Sequence, residues 1–226
     1  MLTKDVMTAE VVSVAPDDDV AHVASVLLKH GISAAPVVDR TGRLQGIVSE
    51  ADLMRRAECG ASRSWWLSLL ADKTVEFTRD LGTRARDVMT ANVVTVDEDA
   101  PISSVAHLLE ANGIKRAPVL RQDRLVGIVS RSDILRGLAV ANAPSGDGPS
   151  VSDREIRDQV LQLIKQHTST SLSAVSVIVV NGTVYLWGTA DTAADKNAIR
   201  VAAENVAGVA RVHDFLSTVP QVLQGV

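Results

Sequence analysis

The chain has 226 residues, 46% of them hydrophobic and only 3% aromatic, so it can form two compact domains with cores mostly of Val, Leu, Ile and Ala. Its formal net charge is -4 at pH 7, so the chain lacks the excess of Lys and Arg that is typical of a general nucleic-acid binder. We therefore expect no nucleic-acid partner. The single cysteine, Cys59, excludes an intramolecular disulfide and fits a reducing compartment.

The start of the chain, MLTKDVMTAE, has no positive cluster followed by an apolar run. No stretch elsewhere approaches the roughly 18 apolar residues of a membrane-spanning helix. We therefore expect a cytoplasmic protein.

One long motif occurs twice. The segment DVMTAEVVSVAPDDDV at 5–20 recurs as DVMTANVVTVDEDAPI at 87–102, and GISAAPVVD from Gly31 recurs as GIKRAPVLR from Gly113. A repeat of this kind is one supersecondary unit used twice.

Each copy has the same predicted elements. VVSV or VVTV predicts a short strand, and the helix that follows ends before the repeated glycine. A β-hairpin and a second helix complete the copy. The sequence thus predicts two β-α-β-β-α domains, at 1–57 and 87–140, packed about a pseudo-twofold axis around a shared crevice.

Two segments lie outside the repeat. Residues 58–86 have a helical pattern around Trp65 and Trp66, which either binds a partner or second copy or covers the first repeat. Residues 141–150 are small, polar and rich in Pro and Gly, as in a linker.

The pattern changes after the linker. It predicts an amphipathic helix, a strand, an Asn-Gly turn, a second strand, a helix that ends near Gly208, and a last strand. Residues 151–219 are therefore a predicted α-β-β-α-β domain, followed by a tail at 220–226. The chain as a whole is of the α+β class.

The pattern Ser-x-x-Asp starts the second helix of each copy. Ser49 with Asp52, and Ser130 with Asp133, fit a capping box, in which the serine accepts a backbone N–H and the carboxylate bonds back to the cap residue. At the mouth of the crevice the same carboxylates could accept hydrogen bonds from a ribose diol, since each has two oxygens. The two roles are compatible, and the pattern alone leaves both open.

These segments together resemble the cystathionine-β-synthase (CBS) domain family. The resemblance rests on VMTAEVVSV, GISAAPVVD and GRLQGIVSEADLM in the first copy and on VMTANVVTV, GIKRAPVL and DRLVGIVSRSDIL in the second. It implies a regulatory pair that binds an adenosine compound such as AMP, ADP, ATP or S-adenosylmethionine. No catalytic residues and no required cofactor come with it.

The resemblance also implies ligand-binding residues. In the second copy Asp133 matches the ribose-binding aspartate, and Ser130 and Ser132 match hydroxyl positions near ribose and phosphate. In the first copy, Asp52 and Ser49 match equally well.

The two copies differ in their basic residues. Lys115 and Arg116 lie in the loop that often supplies basic groups to phosphates in the family, and Ser33 and Ala34 replace them in the first copy. We therefore expect two unequal sites, with the second favoured for a phosphorylated nucleotide.

The predicted tail domain resembles the BON domain. Its segment NGTVYLWGTADTAADKNAIRVAAENVAGVARVHDFL has a Gly in the hairpin, a Gly that ends the second strand, an Ala-rich helix and a Gly-Val before the final strand. The resemblance implies an interaction with phospholipid or the cell envelope. Residues 151–226 have six Lys or Arg and seven Asp or Glu, so they form no polybasic lipid patch.

The five histidines are dispersed, and the chain has no phosphate-binding loop, dinucleotide fingerprint or nucleophile elbow. We therefore expect neither a metal site nor an enzyme. The expected function is that of a dimeric sensor that binds an adenosine nucleotide and transmits this binding signal to the BON domain or a partner. The alternative is a non-catalytic dimer scaffold whose BON domain binds phospholipid or protein.

Overall fold

The computed structural model describes residues 1–59, 84–141, 151–168 and 170–219. The predicted helix around Trp65 and Trp66, nearly all of the predicted linker and the tail at 220–226 lie outside these residues.

The chain divides into two compact units, and neither is one continuous stretch. One unit comprises Met1–Glu10, Thr95–Val119 and Val126–Val226, and the other comprises Val11–Val94 and Leu120–Leu125. The segment that opens the first copy therefore belongs to the unit that holds most of the second copy.

The unit around the first copy is built on a two-stranded antiparallel sheet. Its elements are helix α2 (Val20–His30), strands β1 (Ala34–Val38) and β2 (Leu44–Ser49), and helices α3 (Glu50–Cys59) and α4 (Ala85–Val88). Helix α2 ends at Gly31, whose φ of 59° lies in the left-handed region that glycine adopts readily. The predicted strand at VVSV is wrong, because only Val14 pairs, in a single bridge with Val37.

The second copy has a three-stranded sheet in the order β3-β4-β5. Its elements, with the short helix that opens the chain, are α1 (Thr3–Val6), β3 (Val96–Asp97), α5 (Ile102–Ala111), β4 (Arg116–Arg121), β5 (Arg124–Ser130) and α6 (Arg131–Ala141). The hairpin turns at Gln122 and Asp123, which both have positive φ angles. Of the predicted VVTV strand, only Val96 lies in a strand, together with the following Asp97.

The tail domain has the predicted α-β-β-α-β order. Its elements are α7 (Val151–His167), a 3₁₀ turn (Leu172–Ala174), β6 (Val175–Val180), β7 (Thr183–Ala190), α8 (Ala193–Glu204) and β8 (Arg211–Thr218). Strand β7 is central, antiparallel to β6 and parallel to β8. The apolar faces of α7 and α8 cover one side of this sheet, where Val160, Ile164 and Ile199 are fully buried.

The N-terminal segment pairs with strand β5 of the second copy. Thr8 and Ile128 exchange both backbone hydrogen bonds, each at 2.9 Å. A Cβ atom at Gly127 would lie 2.5 Å from Met7 Sδ and 2.9 Å from the Thr8 carbonyl oxygen, so only glycine allows this approach.

The same arrangement occurs in the other unit. There Thr90 exchanges backbone hydrogen bonds with Ile47, and a Cβ atom at Gly46 would lie 2.6 Å from Met89 Sδ. The close approach explains why a glycine occurs at this position in both copies.

The second copy and the tail domain share a hydrophobic core. Side chains alternate along β6, so Val177 and Val179 face the core of the tail domain while Ile178 faces the other way. Ile178 is fully buried against a cluster that includes Val6 and Ile134. The sheet of the tail domain is thus covered on both faces near β6. The fold as a whole confirms the predicted α+β class.

Candidate functional site

Asp133 lies at the start of helix α6, where its carboxylate is held by the chain. Its Oδ2 accepts hydrogen bonds from the backbone N–H of Ser130 at 2.8 Å and from the Ser130 hydroxyl at 2.7 Å. The Asp133 N–H in turn donates to Ser130 Oγ at 3.3 Å. These bonds form the predicted capping box.

The second oxygen of Asp133 also has a partner. Arg136 donates from Nη1 to Asp133 Oδ1 at 3.0 Å, across one turn of the helix. The Asp133 side chain is 7% exposed, whereas Arg136 is 32% exposed. The result is a buried carboxylate whose ion-pair partner reaches solvent.

The first copy repeats the capping box. Ser49 donates to Asp52 Oδ2 from its backbone N–H at 2.9 Å and from its hydroxyl at 2.6 Å. Asp52 is half-buried and therefore more accessible than Asp133.

The basic loop of the second copy lies beside the start of helix α6. The Arg131 N–H donates to the Lys115 carbonyl at 3.1 Å, and the Arg131 side chain donates to the Ile114 carbonyl at 3.0 Å. The side chains of Lys115 and Arg116 are exposed. In the first copy the Glu50 N–H bonds to the Ser33 carbonyl in the same way, at 3.0 Å.

The structure thus joins some of the predicted residues directly and leaves others apart. Ser130 and Asp133 are in contact, and Lys115 reaches the helix start through its backbone. Ser132 is exposed on α6. The sequence analysis missed Arg136, although an arginine three residues after an aspartate on a helix favours an ion pair.

Other kinds of site are not seen in the described part of the chain. No three His, Cys, Asp or Glu side chains of these residues come together as metal ligands. Nor do these residues include a helix that is long and apolar enough to cross a membrane.

Comparison with known proteins places this chain in a family. A CBS domain model matches residues 4–58 and 85–140, and a BON domain model matches residues 152–220. An uncharacterized protein of Methanocaldococcus jannaschii is 35% identical over 157 residues, which are 61% of this chain and 91% of that protein. The chain belongs to the CBS-domain family. Its two copies are the first and second CBS domains and its tail domain is a BON domain, which confirms both resemblances.

Two further relatives differ in how much of their own length is matched. Hypoxic response protein 1 of Mycobacterium tuberculosis is 29% identical over 60% of this chain and 83% of that protein. Inosine-5'-monophosphate dehydrogenase of Methanocaldococcus jannaschii is 31% identical over 58% of this chain, but this is only 22% of the enzyme.

Two solved structures are also similar. The CBS domain of a membrane protein from Sphaerobacter thermophilus is 34% identical, with a TM-score of 0.47, over 60% of this chain and 86% of that chain. The CBS domain pair of protein MJ0100, in complex with 5'-methylthioadenosine and S-adenosyl-L-methionine, is 29% identical, with a TM-score of 0.45, over 60% of this chain and 98% of that chain.

Proposed function

We propose that this protein is a non-catalytic cytoplasmic sensor, dimeric in solution, that binds an adenosine nucleotide at its second CBS domain and relays the binding to its BON domain. The observation that carries the proposal is the buried carboxylate of Asp133, held by Ser130 at the start of helix α6. A fixed, desolvated carboxylate is a strong acceptor for the two hydroxyls of a ribose.

The hydrogen bonds of Asp133 decide how a ribose would bind. Oδ2 already accepts two hydrogen bonds from Ser130, so the diol would bond mainly to Oδ1. Arg136 donates to Oδ1, and its partly exposed side chain can turn towards solvent. Nucleotide binding therefore exchanges one partner of Oδ1 for another.

The phosphate would bind to the basic loop. Lys115 and Arg116 are exposed beside the helix start, and each charge-assisted hydrogen bond to a phosphate contributes about 1.5–3 kcal/mol. Ser33 and Ala34 offer no charge at the matching positions, so the first CBS domain has the weaker site for a phosphorylated ligand.

The shared core supports the relay. Helix α6 begins with the capping box of Asp133 and contributes Ile134 to the cluster that buries Ile178 of the BON domain. A shift of α6 on nucleotide binding would therefore move side chains that pack on strand β6. Such a shift requires unequal nucleotide affinity for the two conformations.

One observation favours the alternative function. Both oxygens of the Asp133 carboxylate have partners within the protein, as expected of a residue that only caps a helix. In that case the CBS pair is a dimer scaffold, and the BON domain binds phospholipid or another protein.

Calorimetric titration of the full chain with AMP, ADP, ATP and S-adenosylmethionine tests the sensor. We expect at least one ligand to bind, and Asp133→Asn to weaken it by about tenfold or more, because the neutral amide loses a charge-assisted bond. The matched variant Asp52→Asn should change this affinity little. No heat from any of the four ligands would favour the scaffold.

Hydrogen exchange tests the relay separately. The bound nucleotide should change the amide protection of β6 and α7 in the wild-type chain but not in Asp133→Asn. Binding without any change in the BON domain would retain the nucleotide site and reject the relay.

A further inference from the structure

A pocket of about 280 Å³ lies where the N-terminal segment meets the BON domain. Its apolar lining comes from both, namely Met7, Leu161, Leu172, Val175 and Val177. Three charged side chains also line it, and of these only Arg157 is buried, while Glu10 and Lys165 are exposed. The combination of an apolar wall and a buried cation is unlike the nucleotide site at Asp133.

Arg157 is a buried cation without a close counter-ion. It is 6% exposed, and its guanidinium donates from Nε to the Val177 carbonyl at 2.8 Å and from Nη2 to the Met7 carbonyl at 2.7 Å. Both acceptors are neutral. Among the described residues, the carboxylate that pairs with it is Asp158, 4.0 Å from Nη1 and 77% exposed.

The positive charge of Arg157 is thus poorly compensated inside the protein. Desolvation lowers the pKa of its guanidinium, which reflects the cost of holding the charge there. The other cation of the pocket, Lys165, is exposed at the rim and paired with Glu10. An anion that enters the pocket would therefore gain most from Arg157.

Arg157 also has hydrogen-bond donors left. A guanidinium has five N–H groups, and only one on Nε and one on Nη2 are used here. Nη1 has no hydrogen-bond partner among the described residues. Nη1 and Nη2 together form the end of the fork that binds a carboxylate through two parallel bonds.

We propose that this pocket binds a small organic monoanion, a carboxylate attached to a short apolar chain. The carboxylate would accept hydrogen bonds from Nη1 and Nη2 of Arg157, and the chain would lie against the apolar wall. One weakly compensated positive charge matches a monoanion better than a phosphate ester, which carries about -1.5 to -2. The volume is just below the roughly 300–1,000 Å³ of pockets for drug-sized ligands, so a chain of a few carbons fits.

Such a ligand would contact two parts of the protein at once. Met7 belongs to the N-terminal segment, and Leu161 belongs to α7 of the BON domain. Binding would therefore strengthen the contact between them and raise the melting temperature by mass action.

Calorimetric titration of the full chain with sodium hexanoate tests the proposal, with hexan-1-ol and inorganic phosphate as comparison ligands. We expect hexanoate to bind and to raise the melting temperature. Hexan-1-ol should bind about tenfold or more weakly, because it lacks the charge that pairs with Arg157. Phosphate should not compete with hexanoate.

Two variants test the pocket from opposite sides. Arg157→Met removes the charge at similar side-chain length, and Leu161→Trp fills the pocket while leaving the guanidinium in place. Each should weaken hexanoate binding by about tenfold or more, whereas Gln166→Ala, an exposed change elsewhere on α7, should leave it unchanged.

Several results would overturn the proposal. These are no hexanoate binding at millimolar concentration, equal affinity for hexanoate and hexan-1-ol, and full binding by Leu161→Trp. If Arg157→Met does not fold, as judged by circular dichroism, the alcohol comparison and Leu161→Trp still decide the question.

Discussion

Arg154 of the BON domain forms an ion pair with Asp5 of the N-terminal segment. Its Nε lies 2.7 Å from Asp5 Oδ1, and the Asp5 side chain is 1% exposed. Oδ2 of the same carboxylate accepts the Leu2 N–H at 2.7 Å. The hydrogen bond to Asp5 raises the pKa of Arg154, so the guanidinium stays charged throughout the physiological range.

Replacing Arg154 tests how strongly this pair ties the BON domain to the N-terminal segment. Arg154→Met leaves a buried carboxylate without its cation, which costs about 3–5 kcal/mol for a fully buried pair. Because Arg154 is 31% exposed, we expect a smaller loss, roughly 1–3 kcal/mol, in the free energy of unfolding measured with urea at pH 7.

Arg200→Met is the matched control. Arg200 pairs with Glu204 on the surface of α8, where both side chains are more than a third exposed, so its loss should cost about 1 kcal/mol or less. Equal effects of the two variants would show that the Asp5 pair contributes no more than a surface pair.

Replacing Gly127 tests the packing of the N-terminal segment on strand β5, because this glycine determines how closely the two approach. In Gly127→Ala the new methyl group would lie 2.9 Å from the Thr8 carbonyl oxygen, which cannot turn away as the Met7 side chain can. We expect a loss of about 1–3 kcal/mol in the free energy of unfolding, the usual cost of an overpacked site.

Gly46→Ala should be similarly destabilising, since Met89 and the Thr90 carbonyl occupy the same places around Gly46. Normal stability of both variants would mean that the two segments do not pack this closely in solution.

Much of the fold could be predicted from the sequence because its signals are local. Residues close together in the chain determine the end of helix α2 at Gly31 and the capping boxes at Asp52 and Asp133. They also determine the order of elements in the BON domain. The predicted VVSV strand was wrong because a strand also needs a partner, and only Val14 has one.

The segment that opens each copy pairs with a strand of the other copy, and this pairing could not be predicted from the sequence. Residues 5–8 and 87–90 both read Asp-Val-Met-Thr, and the strand each must join reads Gly-Ile-Val in both copies. Identical motifs contain no information about which segment pairs with which strand. The long apolar run of β6, by contrast, is typical of a strand buried on both faces, and Ile178 is buried in this way.

Asp39 provides a prediction of pH dependence. It closes the turn between β1 and β2, where its Oδ1 accepts hydrogen bonds from the Thr41 hydroxyl at 2.6 Å and the Thr41 N–H at 2.8 Å. The hydroxyl bond from Thr41 is the main cause that lowers the pKa of Asp39 below its ordinary value of 3.8. The stability it contributes is therefore present above that value and lost as the pH falls towards the lower, folded-state pKa.

We expect Asp39→Asn to be less stable than the wild type at pH 7, with a difference that shrinks as the pH falls through the ordinary Asp pKa of 3.8. Urea unfolding at several pH values measures this. Glu155→Gln, an exposed change on α7, is the control and should follow the wild-type curve. A constant difference at all pH values would show that the ionised Asp39 is not what stabilises the turn.

Replacing Arg136 tests whether a ribose displaces this side chain from Asp133 Oδ1. This prediction rests on the proposed nucleotide site. Adenosine is the suitable ligand, because without a phosphate it cannot gain from the charge of Arg136 directly. A ribose that bonds to Asp133 Oδ1 must displace the Arg136 bond of 3.0 Å. Arg136→Gln should therefore bind adenosine about threefold to tenfold more tightly than the wild type, a modest gain because Arg136 is partly exposed.

Calorimetric titration measures this affinity, and Arg124→Gln, an exposed arginine on β5, serves as the control for loss of one positive charge. Tighter binding by Arg136→Gln alone would mean that Arg136 competes with the ribose for the carboxylate. Unchanged binding would mean that the ribose does not use Oδ1, and weaker binding would make Arg136 a ligand contact instead of a competitor.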